Sequence, residues 1–411
     1  MNGRGPSLKY RFGFARTIDE GRVNDPLLQI SDVFTDAHRF QGRTSLNPSR
    51  SLSINLSWQA NLTQTETITF RGGDVGSGTE TVSGNNKASV WVFNPNYVDL
   101  VQRQIDRYEA DGGVADPNVD QTIEDANGDG VVLTNTTVVE DFREVYGNSS
   151  IAVGGRKLLP LPLPNWNVTY SGFGKWPLIR KIVQSASIRH TYSADYGSDY
   201  RTNSLAALDG GSISTFTLGR NTINYATPDV ETGAVRVNRR YQPLIGFDFT
   251  FKNRLQTNVS WNKNNSYSLS TSSFEISDNA TSEVTASLTY QKTGLRIPFL
   301  KGKKLNNRVS FSVSFARSTT NDKRYRLGAA LAKAVSDPTF QASDATKGDG
   351  LVSEITSNIR TTISPQVSYT FSNRVQANFV LRYVDFKGDT RQPSNRNING
   401  TFNIRVNISD R

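Results

Sequence analysis

The segment His190-Thr-Tyr-Ser193, with Asp195 beside it, supplies a base, a nucleophile and a carboxylate, the parts of a hydrolytic triad. Side chains on an extended strand alternate between faces, so His190 shares a face with Ile188 and Tyr192 while Ser193 points away. The two cannot form a hydrogen-bonded pair. The chain has no cysteine and one other histidine, His38, so no alternative catalytic set presents itself and catalytic residues are expected to be absent. A second cluster, Asp125-Ala-Asn127-Gly-Asp129-Gly130, matches the opening half of a calcium loop, with oxygen ligands at alternate positions before a turn glycine. The bidentate glutamate that should close such a loop is replaced by Thr136, and Glu140 and Asp141 lie a little further on. The choice is therefore between a loose Ca2+ site at Asp125, Asn127 and Asp129 and a plain acidic turn. No other cofactor is expected.

The remaining chemistry belongs to pores and membranes. Arg189, Arg254, Arg308, Arg382 and Arg405 fall on polar strand positions and are expected to face a lumen, where they could tune passage or simply hydrate. Trp58, Trp166, Trp261, Tyr10 and Tyr383 fall among apolar positions and are expected to anchor at the membrane interfaces.

These assignments presuppose strands between two different solvents. Ile398, Gly400, Phe402, Ile404, Val406 and Ile408 interleave with Asn397, Asn399, Thr401, Asn403, Arg405 and Asn407. The same alternation runs from Arg374 to Tyr383, broken only by Val380. A period of two with one apolar and one polar face is a half-buried strand, and ten residues of it per strand suit a transmembrane β-barrel. Composition agrees. Of 411 residues, 36% are hydrophobic and 10% aromatic, a low apolar content that only one face of each strand would need. No run of apolar residues is long enough for a helical span. The net charge of +10 is scattered along the chain, which argues against a nucleic-acid partner. Met1–Pro6 has no apolar core of a signal peptide, so the chain is expected to be the C-terminal piece of a longer protein.

Alternating segments fall near 8–15, 38–46, 51–70, 164–172, 185–196, 241–251, 254–270, 281–291, 307–318, 361–371, 374–386 and 397–408, about twelve strands. The fold class expected is all-β, an antiparallel transmembrane β-barrel segment spanning 1–411. Lys252-Asn253 and Ser372-Asn373 read as two-residue turns, and Asn47-Pro48-Ser49 as a slightly longer one. The stretches 71–162, 197–240 and 319–360 read as long extracellular loops, all on the side opposite the short turns. Within them, Pro95–Ala110 and Leu327–Val335 have helical spacing, with Asn94 as a cap, and are expected to pack over the barrel mouth. Two connections on the short-turn side, 173–182 and 295–304, place apolar residues around a proline beside basic ones, as either an interfacial wedge or a solvated turn. Leu8–Phe14 lacks the marks of a first strand, so an open sheet is favoured over a closed ring.

One passage carries a resemblance. Leu159-Pro-Leu-Pro-Leu-Pro-Asn-Trp-Asn-Val-Thr-Tyr-Ser-Gly172, then Trp176-Pro-Leu-Ile-Arg-Lys181 and Ala186-Ser-Ile-Arg-His-Thr-Tyr192, resembles the C-terminal region of the giant outer-membrane translocon proteins (SprA/Sov family) of the type 9 secretion system. Pro6-Ser-Leu-Lys-Tyr-Arg-Phe-Gly13 also fits that pattern. The resemblance implies part of an outer-membrane channel that exports folded proteins to the cell surface. It implies cargo proteins with C-terminal signal domains, a small PorV-type barrel, a periplasmic plug protein and outer-membrane lipids as partners. It supplies no catalytic residues. Two other readings compete: the barrel of a plug-gated, energy-coupled nutrient receptor, and a non-transporting surface adhesin.

Overall fold

The alternating segments pair into one antiparallel sheet of 12 strands in the computed structural model. It describes residues 29–406 apart from 72–78, 111–134, 147–151, 154–155, 158–161, 203–211, 219–220, 228–229, 297–303 and positions 178, 272, 338, 348, 349, 373, 390 and 391. The strands are β1 (Gln29–Ser49), β2 (Leu52–Arg71), β3 (Thr79–Ser89), β4 (Ala152–Val153), β5 (Arg156–Lys157), β6 (Asn165–Tyr170), β7 (Val183–Thr202) and β8 (Ser212–Leu218). They continue as β9 (Asn221–Thr227), β10 (Val230–Phe251), β11 (Gln256–Ser270), β12 (Glu275–Arg296), β13 (Lys304–Arg326), β14 (Val352–Thr370), β15 (Val375–Lys387) and β16 (Asn395–Val406). The main ladder runs β1-β2-β3-β7-β10-β11-β12-β13-β14-β15-β16, β6 also lies between β2 and β7, and β4–β5 and β8–β9 are separate hairpins. Among the described residues nothing pairs with the outer edges of β1 and β16, and Leu8–Phe14, on which the expectation of an open sheet rested, lies outside them.

One face of the sheet is apolar and solvent-accessible over a band. On β13 it reads Val309, Phe311, Val313 and Phe315, then turns polar at Arg317 and Thr319. Val313 stands opposite Leu288 on β12, Val367 on β14 opposite Phe379 on β15, and Phe379 opposite Phe402 on β16. Leu288, Val313, Val367, Phe379 and Phe402 are all exposed. A continuous apolar band on strands whose other face is Ser, Thr, Asn and Gln is the wall of an outer-membrane β-barrel. Strands of 20 to 23 residues in β7, β10, β12 and β13 exceed the roughly 9–11 that span a bilayer. Their far halves therefore stand above the membrane on the loop side.

Three helices cover that upper part: α1 (Tyr97–Ala110), α2 (Asn135–Tyr146) and α3 (Leu327–Ser336). Asn96 caps α1, its Oδ1 accepting the Val98 N–H at 3.1 Å, so the cap is Asn96 and not Asn94. Leu100, Val101, Val138, Phe142, Leu327 and Leu331 are buried against Tyr192, Tyr196, Val235, Val237, Leu269 and Ile276 of the strands. Those strand residues belong to the apolar face. The helices thus pack on the flank of the wall, above the band, and not over the mouth as expected.

Several further boundaries differ from the sequence reading. Strands run into each stretch read as a loop: β3 lies within 71–162, β7 and β10 enter 197–240, and β13 and β14 enter 319–360. A tight connection, Thr271–Phe274, joins β11 to β12 on the loop side, so short turns are not confined to one end. The turn after β10 encloses Lys252, Asn253 and Arg254, with Phe251 N–H bonded to Leu255 O at 2.8 Å and Arg254 at φ 71°. This is a three-residue loop with its last residue left-handed, not a two-residue turn. The same Phe371 to Val375 closure follows β14. Helix α2 was not anticipated, because its first turn holds Thr and Val, weak helix formers.

Candidate functional site

The place where the chain departs furthest from a plain meander is the shared lane between β2 and β7. β3 occupies its loop-side half and β6 its turn-side half, both antiparallel to the same two neighbours. Ser89, the last residue of β3, stands opposite Asp195, and Trp166 of β6 opposite Tyr192. Asn165 therefore faces Ser193, and only Ala194 lies opposite the gap. The two pieces are one strand, interrupted after Ser89 and resumed at Asn165, and the excursion between them lays α1 and α2 on the apolar flank.

An interruption leaves ladder groups without partners, and the flanking residues supply them. Ala194 N–H donates to Asn165 Oδ1 at 2.9 Å, and Ala194 O accepts from Val90 N–H at 3.1 Å. On the other neighbour, Gln59 N–H donates to Ser89 Oγ at 3.2 Å. The returning chain is held by Leu163 N–H on Ser89 O at 2.8 Å and by Trp91 Nε1–H on Pro164 O at 2.9 Å. Trp166 stacks on Tyr192 at 4.3 Å and meets Trp91 edge-on at 6.0 Å. Below, a side chain at Gly172 would meet the Tyr170 hydroxyl and displace that ring. The Pro-Asn-Trp word is thus the joint itself, and Tyr-x-Gly is the turn-side end of β6.

Arg239 of β10 fastens the departing chain. It is buried, donates to Phe93 O and Asn265 Oδ1, each at 2.9 Å, and lies over the Tyr241 ring. Asp141 of α2 binds Arg107 of α1 through paired bonds of 2.7 and 2.8 Å, and also accepts from Gln104 Nε2. The hydrogen bond that Arg107 itself makes to Asp141 raises its guanidinium further above its already high range. Burial pushes the Tyr97 and Tyr146 hydroxyls up as well, so both stay neutral at the helix–sheet interface. Neither Arg239 nor the Asp141 pair was anticipated; a lone arginine on an apolar strand face, Val235-Arg-Val-Asn-Arg239, was the available signal.

The expected site residues distribute as follows. Arg189 lies on the polar face and is bound by Asp248 at 2.6 and 3.1 Å, with Asn258 Nδ2 on the same carboxylate at 2.6 Å. Arg308, Arg382 and Arg405 occupy polar-face positions of β13, β15 and β16 and are exposed. Arg254 is in the turn after β10 and not on a strand face, because its left-handed conformation ends the hairpin loop. With Arg308 and Lys292 it borders a polar cleft at the turn end. Trp261 is exposed at the top of the band, its Nε1–H on Ser282 Oγ at 2.9 Å, and Trp58 and Tyr383 share the apolar face. Trp166 does not stand free at the interface: the excursion covers it. Tyr10, Asp125, Asn127 and Asp129 lie outside the described residues. Among the described residues no group of acidic or histidine side chains could hold a metal, and Asp141 is committed to Arg107. His190 Nδ1 lies 2.6 Å from Leu244 O on the apolar face, while Ser193 faces the other way. In the 173–182 turn, Phe173 is buried against Phe249, while Trp176, Arg180, Lys181 and Ile182 are exposed.

No family model and no curated protein matches the chain. Among solved structures, OmpT of Vibrio cholerae, an outer membrane protein folded in vitro, gives a TM-score of 0.23 at 10% identity over 92% of this chain and 97% of that one. A form of OmpT lacking loop L8 gives 0.21 at 11% identity, covering 92% and 99%. Similarity this low carries no argument, and the assignment of the fold stands on the strand ladder and its two faces.

Proposed function

We propose that this chain forms an arc of the wall of an outer-membrane channel that exports folded proteins, as in the type 9 secretion translocon. The observation that carries the reading is the open sheet: 12 strands with both edges unpaired among the described residues. A membrane sheet cannot leave its edges in lipid, and a wider ring in which both edges find partners is what this reading supplies. The polar face suits such a ring. It is built mainly of Ser, Thr, Asn and Gln, such as the Gln366, Ser368 and Asn378 cluster joined by 2.8 Å bonds. Uncharged, hydrated groups offer little fixed affinity and let dissimilar surfaces pass. The secreted cargo, the PorV-type barrel and the plug protein are partners in this reading.

Photo-crosslinking in cells making the complete protein tests it. A photoreactive residue at Asn378 or Ser314, on the polar face, is expected to capture several different secreted proteins in transit. The same residue at Val313 or Phe379, on the apolar face, is expected to capture none. Capture of a single small solute's binding protein, or no cargo from either face, would overturn the reading.

A further inference from the structure

The excursion creates a cleft of about 470 Å3 between the chain leaving β3 and the outer sides of α1 and α2. Its volume falls within the roughly 300–1,000 Å3 of small-molecule sites. Trp91 and Phe93 form one wall, and Asn94, Gln102, Arg103 and Glu144 supply the polar groups. Phe93 is 55% exposed although it is surrounded by aromatic rings, stacked on Tyr192 at 5.9 Å and tilted to Trp91 at 5.9 Å. The ring is thus rigidly held with a large part of it open to an aqueous cleft. Asn94 has no partner among the described residues. Gln102 bonds only to Asp106 through its amide nitrogen, leaving its carbonyl open. Arg103 pairs with Glu144 at 2.5 Å and keeps its remaining N–H donors free.

The position of the cleft narrows the ligand. Phe93 packs on Tyr192, Tyr192 on Tyr241, and Tyr241 stands opposite Lys263. Lys263 is the first polar residue above Trp261 on the apolar face of β11, the step at which the band ends. The cleft therefore opens sideways from the wall, at the height where lipid tails give way to headgroups, on the side that carries the long connections. In an outer membrane the outward leaflet presents sugars at that height. An exposed aromatic ring beside side-chain amides and an arginine carboxylate pair is the chemistry that holds a sugar. C–H faces lie against the electron-rich ring face, and hydroxyls take the amides and charges.

We infer that the Trp91–Phe93 cleft binds the saccharide headgroup of an outer-leaflet glycolipid beside the wall. The site fixes the depth of the wall against the headgroup layer and presents a sugar-coated flank. It rests on the orientation of the sheet in the outer membrane, and not on what passes through the channel.

The probe is the core oligosaccharide of the host bacterium's lipopolysaccharide, stripped of its acyl chains. It is titrated against the full-length protein in phosphatidylcholine nanodiscs and read by saturation-transfer NMR. Saturable binding is expected, weakened about tenfold by Phe93→Ala and by Gln102→Ala, and unchanged by Trp261→Phe. Gln102 is exposed on α1, so that variant folds independently of the outcome. Absence of saturable binding, affinity in the two cleft variants equal to that of the unaltered protein, or complete displacement by equimolar inorganic phosphate would each overturn the inference. Export measured on the same variants reports separately on the channel.

Discussion

Asn165 shows how much one side chain can carry. Its amide oxygen takes the ladder hydrogen bond that a backbone carbonyl would have taken had the strand been continuous. Removing a partner from a half-buried amide costs about 1–3 kcal/mol. Asn165→Ala should therefore lower the unfolding free energy of the detergent-folded protein in urea by that amount and speed hydrogen exchange at the Ala194 amide. Asn165→Asp keeps the acceptor and should leave the Ala194 amide protected; fast exchange there would mean the bond does not hold the joint. At this scale the sequence was partly legible. The parity that separated His190 from Ser193 and put Arg189 on a polar face follows from backbone geometry alone. The role of Asn165 does not, since no spacing rule tells a strand amide facing water from one stitching a gap. Trp166 misled for a related reason: an aromatic on an apolar strand position looks the same whether lipid or a helix covers it.

At the scale of elements, the excursion is separable from the strand it interrupts. Because only Ala194 lies opposite the gap, replacing 90–164 by a single residue restores both register and side-chain alternation between Ser89 and Asn165. Such a variant should keep its strand signal in circular dichroism and its heat-modifiable migration. It should also bind more of a dye that reports apolar surface, because Tyr192, Val235, Val237 and Leu269 lose their cover. Loss of the strand signal would show that the helices build the sheet and do not merely coat it. The sequence concealed this layout because β3, Thr-Glu-Thr-Val-Ser-Gly-Asn-Asn-Lys-Ala-Ser, stands above the membrane and carries no apolar alternation. The upper halves of β7 and β10–β13 hid in the same way. Apolar residues there face helices that arrive from elsewhere in the chain. The lower halves, between lipid and water, kept the clean period of two that located β15 and β16.

For the whole molecule, the open sheet is the property from which the proposed function departs. These 411 residues contain no cysteine, so no thiol of the sheet competes with introduced pairs. A scan that sets cysteines along β1 against cysteines along β16 in the full-length protein should give no disulfides, because bonding needs Cα atoms within about 7 Å. Efficient bonding at a consistent register would mean that the 12 strands close on themselves into a narrower tube, and the wide channel would fall with it.

The interrupted strand also has a bearing on time. A barrel lane cannot close while part of its chain is on the wrong side of the bilayer. Helices α1 and α2 must be outside before Asn165 meets Ser193, and both halves of the lane need β2 and β7 as neighbours. The lane is therefore a checkpoint in biogenesis. The lane can close at Ala194 only once α1 and α2 have reached the loop side.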